Sequence, residues 1–171
     1  MSDKSFTIEE LKTCCINNYA FFAELLQDDG WFEPNHKYLC DWMQHHFLAD
    51  TAAKKTFNAL VVLPRASLKS TIVTKYFPLW VTLRYRYLHK DDSIRTLIAL
   101  NTMPNSHKKL IDIRGVIDSH EIFRAIFPEM IPNSKCKWTS EALEIPRARD
   151  YPESTFEAAG MKTTLTSRHY N

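Results

Sequence analysis

Lys69, Ser70 and Thr71 close the stretch LVVLPRASLKST, residues 60–71, in which an apolar run leads through Pro64 into a cation and two hydroxyls. Phosphate chemistry needs such a set: a buried strand to root a loop, backbone amides converging at a helix N-terminus, and a lysine that reaches the phosphate oxygens. Lys69 is the candidate for that charge. Ser70 stands in the slot where a hydroxyl ligates magnesium, and Thr71 is a spare hydroxyl. The standard spacing G-x-x-x-x-G-K-[ST] places glycines at 63 and 68, where this chain has Leu63 and Leu68. Glycine serves such loops because it accepts positive φ and lets backbone approach a ligand closely. Here Ala66 and Ser67 are small, and Leu68 fits if its side chain turns away from the phosphates. The same residues also fit a plainer structure: a buried strand, a turn at Pro64, and a surface lysine in the first turn of a helix.

The surrounding elements must position this loop. Thr7-Ile8-Glu9-Glu10 reads as a capping box, and Ile8, Leu11, Cys15, Phe22 and Leu26 recur at helical spacing, predicting a helix over 7–27 ended by Asp28-Asp29-Gly30. A second helix follows Pro34 with Leu39, Met43 and Phe47 on one face, to about Asp50. Phe57 to Leu63 is nearly all apolar without period-two alternation, which predicts a strand buried on both faces and hence a parallel sheet. A helix over 70–88 interrupted at Pro78, a strand over 93–101, and a helical region over 104–127 with a weak point at Gly115 come next. Beyond Phe127, KWTSEALEIPRA and STFEAAG read as short extended pieces. The order predicts an α/β class.

At 171 residues, with 44% hydrophobic and 12% aromatic residues, the chain is long enough for a globular core. Its net charge of +2 favours no partner class, so any basic surface must be local. The four cysteines form no C-x-x-C pair and two are adjacent, which fits neither a disulfide framework nor a zinc site and predicts a reducing compartment. The polar start MSDKSFTIEELK predicts no secretory signal, and no apolar run approaches the roughly 18 to 20 residues that span a bilayer. His45 and His46 point about 100° apart on a helix, and His36 with Cys40 offers only two ligands, so a metal cluster is not expected. RYRYLHK, residues 84–90, interleaves bases with aromatics, as either a strand-contacting surface or a solvated helix end would.

Several stretches in order, PNHKYLCDWMQ, LPRASLKST, FPEMIP, KWTSEALEI, ESTFEAAG and LTSRHYN, together resemble the N-terminal ATPase part of phage terminase large subunits, the motors that package DNA. The likeness covers roughly residues 31–171. LPRASLKST is similar to the family's Pro-Arg-x-x-x-Lys-[Ser/Thr] loop, a degenerate Walker A in which glycine is often dispensed with. Leu68 at the glycine slot and Ser167 before Arg168-His169 depart from the pattern.

The resemblance implies a P-loop NTPase fold of the ASCE-like kind, a parallel sheet flanked by helices and incomplete at the C-terminus. Residues 1–50 would be an N-terminal helical segment and 51–171 a partial ATPase domain. It implies ATP and magnesium as cofactors, with Lys69 on the β and γ phosphates, Ser70 on magnesium, and Ala66, Ser67, Leu68, Lys69, Ser70 and Thr71 around the phosphate oxygens. Arg65 matches the early loop arginine that senses or stabilises the γ phosphate, the alternative being a surface arginine at a turn. His36, with Tyr38 and Gln44 nearby, falls where related ATPases contact adenine; an exposed helix start with ordinary packing is the alternative. Arg168 and His169 would lie in a loop close to the nucleotide end of the sheet, in a coupling role.

The partners implied are double-stranded DNA, a portal ring, a small terminase subunit and further copies in a ring motor, with no membrane, in the host cytoplasm at the procapsid portal. The next expected element is an apolar strand ending in carboxylates. The nearest match present, LIDI at 110–113, sits inside a helical pattern, so the 171-residue chain is expected to bind ATP without turning it over. The alternatives are another phage or helicase-like P-loop ATPase acting on nucleic acid, and a truncated product that binds without catalysis.

Overall fold

A computed structural model describes residues 6–27 and 32–161. The chain divides into two compact units, Met1–Trp80 and Val81–Asn171. The first unit is helical. Helix α1 (Ile8–Asn17) begins at the capping box: the Glu10 amide donates to Thr7 Oγ1 at 3.2 Å and the Thr7 amide to Glu10 Oε2 at 2.9 Å. These bonds hold the Glu10 carboxyl below its ordinary range. The expected single helix over 7–27 is in fact two. Asn18 leaves helical geometry at φ −130° and ψ 109°, ending α1 and capping α2 (Tyr19–Leu25), its Oδ1 accepting the Phe21 amide at 2.8 Å. Asparagine competes for backbone donors and so favours this position over a helix interior.

Helix α3 (Pro34–Ala52) starts with proline at its first position and buries His36, Leu39, Cys40 and Met43, a stripe at helical spacing. Three long-range hydrogen bonds fix the core of this unit. Tyr19 Oη donates to the Ile72 carbonyl, Tyr76 Oη to the Leu26 carbonyl at 2.8 Å, and Trp80 Nε1 to the Cys15 carbonyl at 3.1 Å. Each lets a large buried aromatic keep its polar atom satisfied. Burial pushes the Cys15 and Cys40 thiols up to about 12.

The strand expected over 57–63 does not form. Residues 55–64 have no regular secondary structure, Leu60 and Val62 are 87% and 79% exposed, and no described strand pairs with them. A β-prone apolar run becomes a strand only when a neighbour accepts its backbone hydrogen bonds, and none does so among the described residues. The helix after the loop forms as expected, from Lys69 onward, but is not uniformly α-helical. Thr71–Tyr76 is a π-helical turn, Phe77–Arg84 is α4, and Tyr85–His89 is a second π-turn. The first places the Phe77 amide on the Ile72 carbonyl, five residues back, just ahead of Pro78. A wider turn there accommodates a proline that has no amide to donate and whose ring crowds the preceding turn.

In the second unit, β1 (Thr96–Leu100), β2 (Ala142–Leu143) and β3 (Phe156–Gly160) form a mixed α/β arrangement in the order β1-β3-β2. β1 and β3 run parallel with Ile98 opposite Ala158, while β2 is antiparallel to β3, so the sheet is small and mixed rather than all parallel. The central β3 is buried along its whole length, as is the short β2, whereas β1 is mostly half-buried. Helix α5 (Met103–Ser119) packs across β1 and β3, presenting Leu110, Ile113 and Ile117. Buried Ser106 on α5 accepts the Leu100 amide at 2.9 Å and donates to the Ala159 carbonyl, joining the helix to both strands.

The helical region 104–127 breaks at His120, not at Gly115. His120 Nδ1 accepts the Phe123 amide at 3.3 Å and caps α6 (Glu121–Ile126), whereas α5 runs through Gly115, whose Cβ position is open. One glycine costs a helix about 1 kcal/mol, too little to break one held by a buried face. Within RYRYLHK, Arg86 donates to the Pro146 carbonyl at 2.6 Å and Tyr87 packs on Phe127, with ring centroids 6.1 Å apart, leaving Leu88, His89 and Lys90 exposed. That is a packed helix end. Among the described residues no helix is long and apolar enough to cross a membrane.

Candidate phosphate loop and adjoining cavity

The loop turns at Arg65–Ala66 and enters the helix at Lys69. Ala66 and Leu68 have φ of 62° and 52°, while Arg65, Ser67 and Lys69 are not among the positive-φ residues. The sign of φ therefore alternates along 65–69. Such alternation turns successive amides toward one side, a concavity that accepts anions. For side chains other than glycine each left-handed residue costs roughly 1–2 kcal/mol, so the surrounding structure must hold it. One of the two glycine slots, Leu68, therefore does adopt the conformation for which glycine is usually chosen. The second left-handed residue is Ala66, outside the standard glycine positions.

Side chains brace the turn. Ser67 Oγ donates to the Pro64 carbonyl at 2.8 Å. Lys69 Nζ donates to the carbonyls of Leu63 at 2.7 Å and Pro64 at 2.9 Å. An ammonium has three donors, so two bonds tether Lys69 to the loop entry and leave the third for a ligand. The Ile72 amide returns to the Leu68 carbonyl at 2.9 Å, which starts the helix on the loop's last residue. Ser70 is exposed at this helix start, and Thr71 opens the π-turn.

A cavity of about 510 Å³ adjoins the loop, within the range of small-molecule sites. Asn35, Tyr38, Leu39 and Trp42, spaced along one side of α3, form one wall, and Leu60 to Ser67, Arg65 and Ala66 included, form the other. Arg65 is exposed and Tyr38 is 73% exposed, whereas Trp42 is half-buried with its ring centroid 4.9 Å from that of His46.

His36 also lines this cavity, but it is buried at 6% exposure rather than exposed, and its Nδ1 accepts the Glu33 amide at 2.9 Å. A neutral imidazole accepting at Nδ1 carries its proton on Nε2. Gln44 is not part of the cavity. Its Oε1 accepts the Tyr19 amide at 2.6 Å and its Nε2 donates to the Asn17 carbonyl at 3.1 Å, so it stitches the α1–α2 break.

No protein-family model, curated protein or solved structure matches this chain.

A smaller hollow of about 150 Å³ lies beside the helix start, lined by Val61, Lys69, Ser70, Val73 and Thr74. Its oxygen ligands are hydroxyls and its only charged group is a lysine, so these residues do not bind magnesium unaided. The ion keeps an oxygen shell in which phosphates and carboxylates carry the negative charge. No cluster of three or more metal-ligating side chains occurs among the described residues. Arg168 and His169 lie outside the described residues.

Sequence reasoning missed Ala66 as a left-handed residue and Trp42 as a cavity wall. The second was signalled by Tyr38 and Trp42 standing four residues apart on one helix. The first had no signal, because alanine at 66 reads simply as a small residue.

Proposed function

We propose that this chain is the N-terminal ATPase portion of a phage DNA-packaging terminase large subunit, holding ATP and magnesium through a degenerate Walker A loop at residues 64–71 of a P-loop NTPase fold. The observation that carries the nucleotide reading is the alternation of φ sign along 65–69, with the Lys69 ammonium tethered over the loop entry. Amides of residues 66–70 and the free Lys69 donor would take the phosphate oxygens, a charge-assisted set aimed at a dianionic group. Arg65, exposed at the same turn, is free to swing onto the γ phosphate. The adjoining cavity, with Tyr38 and Trp42 on its wall, suits a planar base.

Bound magnesium would supply charge neutralisation, and Ser70 is the residue that would give it one hydroxyl. The terminase assignment itself, with double-stranded DNA, a portal ring, a small terminase subunit and sister copies as partners, rests on the ordered resemblance of the sequence stretches. A binding product without turnover is favoured by one feature: among the described residues, the only carboxylate lining either hollow is Glu33. Glu33 sits at the start of α3, on the cavity wall opposite the loop.

Titration of a fluorescent ATP analogue into the chain and into Lys69→Ala tests the loop. Saturable binding to the wild type and its loss in the variant is expected; equal affinity would overturn the assignment. Magnesium-dependent phosphate release by the 171-residue chain, lost in Lys69→Ala, would instead show a complete active site.

A further inference from the structure

The segment that carries the loop entry, residues 55–64, lacks the strand hydrogen bonds that would fix it, yet the loop needs the Leu63 and Pro64 carbonyls in place to tether Lys69. Ser67 braces the Pro64 carbonyl from within the loop, and something else must hold the segment that leads to it. The candidate is Phe57, the half-buried aromatic at the start of the segment. Its ring centroid lies 6.0 Å from Phe47, 6.4 Å from Phe77 and 6.5 Å from Trp42. Phe47 and Trp42 belong to α3, and Phe77 begins α4, beyond the first π-turn. Phe77 is in turn edge-on to Phe47 at 5.5 Å and packs with Tyr19 at 5.3 Å and Trp80 at 5.9 Å. Phe57 is thus the plug by which an otherwise unpaired segment enters the aromatic core of this unit.

We infer that Phe57 is a positioning residue for the Lys69 loop, and that its contact with Trp42 links the loop entry to the adjoining cavity. Leu60 and Val62, farther along the segment, are exposed and cannot anchor the chain, and the half-buried Val61 between them lines the two hollows. Trp42 touches Phe57 on one side and lines the cavity on the other, so a ligand that orders Trp42 also orders the plug. The consequence at the loop is geometric. Removing the ring frees residues 58–64, the two carbonyls drift, and the ammonium loses its tether while the helix it sits on remains. The inference deepens the nucleotide reading and rests on it for the ligand, although the tether itself can be read without any nucleotide.

The test is reductive methylation with formaldehyde and cyanoborohydride, quantified lysine by lysine by mass spectrometry, on the wild type, Phe57→Ala and Phe57→Tyr. In the wild type Lys69 should react at least about fivefold more slowly than exposed Lys54 and Lys55. Phe57→Ala should bring Lys69 close to their rate, and Phe57→Tyr, which keeps the ring, should restore protection. A core variant in the other unit, Phe123→Leu, should leave Lys69 unchanged, separating position from general destabilisation. If Phe57→Ala does not fold, Phe57→Leu carries the test, with an intermediate rate expected. A wild-type Lys69 as reactive as Lys55, or a folded Phe57→Ala or Phe57→Leu with Lys69 still protected, overturns the inference. In parallel, Phe57→Ala should weaken ATPγS binding about tenfold; bound ATPγS with unchanged affinity also overturns it. Protection that moves as expected in a chain that binds no ATPγS leaves Phe57 in its role and defeats the nucleotide reading instead.

Discussion

Lys69 places its ammonium 2.7 Å from the carbonyl oxygen of Leu63, six residues earlier in the chain, and so closes the loop on itself before any ligand arrives. That contact removes much of the freedom a long flexible cation would otherwise lose on binding, the general advantage of a preorganised site. Lys69→Ala removes both the tether and the cation proposed for the phosphates, and Lys69→Arg keeps the charge on a planar group that cannot make the same compact contacts. Affinity for an ATP analogue should fall at least a hundredfold in the first and at least tenfold in the second, by fluorescence titration.

Leu68 carries left-handed strain that glycine would relieve. Leu68→Gly should keep nucleotide binding and shift stability by between 0 and about +1 kcal/mol, the relief at φ 52° being partly offset by the greater unfolded-state freedom of glycine. Leu68→Val should lose stability, because a β-branched residue tolerates positive φ poorly. Urea denaturation compares the two directly, and a glycine variant less stable than the valine variant would contradict the loop geometry.

Arg65 makes no bond that the loop needs for its shape. Arg65→Ala should therefore leave the affinity for ATP within about threefold. In a turnover-competent packaging motor it should cut hydrolysis by on the order of a thousandfold, since an arginine on the transferring group acts mainly in the transition state. Parallel losses of affinity and rate would make it an ordinary ground-state contact.

Arg147 ties the β2–β3 connection together. It pairs with Glu144, donates to the Glu153 carbonyl at 3.0 Å and lies over the Tyr151 ring, while Arg95 bonds the buried Glu153 carboxylate at 3.1 Å. Arg147→Ala should cost about 3 kcal/mol because it strands partners that are largely removed from water. Arg95→Ala should cost a similar amount, and the double variant less than their sum. Chemical denaturation measures all three.

Cys15 and Cys40 ionise in the folded chain only near 12, against an ordinary value of 9.0. Because the folded values are raised, their stabilising effect is complete below about pH 9 and is lost as pH rises toward 12. The urea midpoint should fall steeply above pH 9, on the order of 1.4 kcal/mol per thiol per pH unit. The decline should be shallower in Cys15→Ala/Cys40→Ala. At pH 8, iodoacetamide should modify the half-buried Cys14 and Cys136 and spare the buried pair.

The capping box at Thr7, the start of α3 at Pro34, the helix after Lys69 and its disturbance near Pro78, the strand before Asn101 and the extended piece STFEAAG were legible in the sequence, because hydrogen-bond caps, proline geometry and hydrophobic period are local properties. The place of Lys69 and Ser70 at the start of a helix was legible too, because the turn at Pro64 and the apolar period after it are local signals. Tertiary structure decided the rest. Whether 57–63 becomes a strand depends on a neighbour for its backbone, which no residue within the run encodes. The break at His120 rather than Gly115 depends on which helical face is buried. His36 and Gln44 look alike as polar residues on α3, and only packing sends one into the cavity wall and the other to the α1–α2 junction. The left-handed turns at Ala66 and Leu68 contradict the preference of each residue taken alone, and such conformations persist only where the folded loop holds them, here through the bonds of Ser67 and Lys69 to the Leu63 and Pro64 carbonyls.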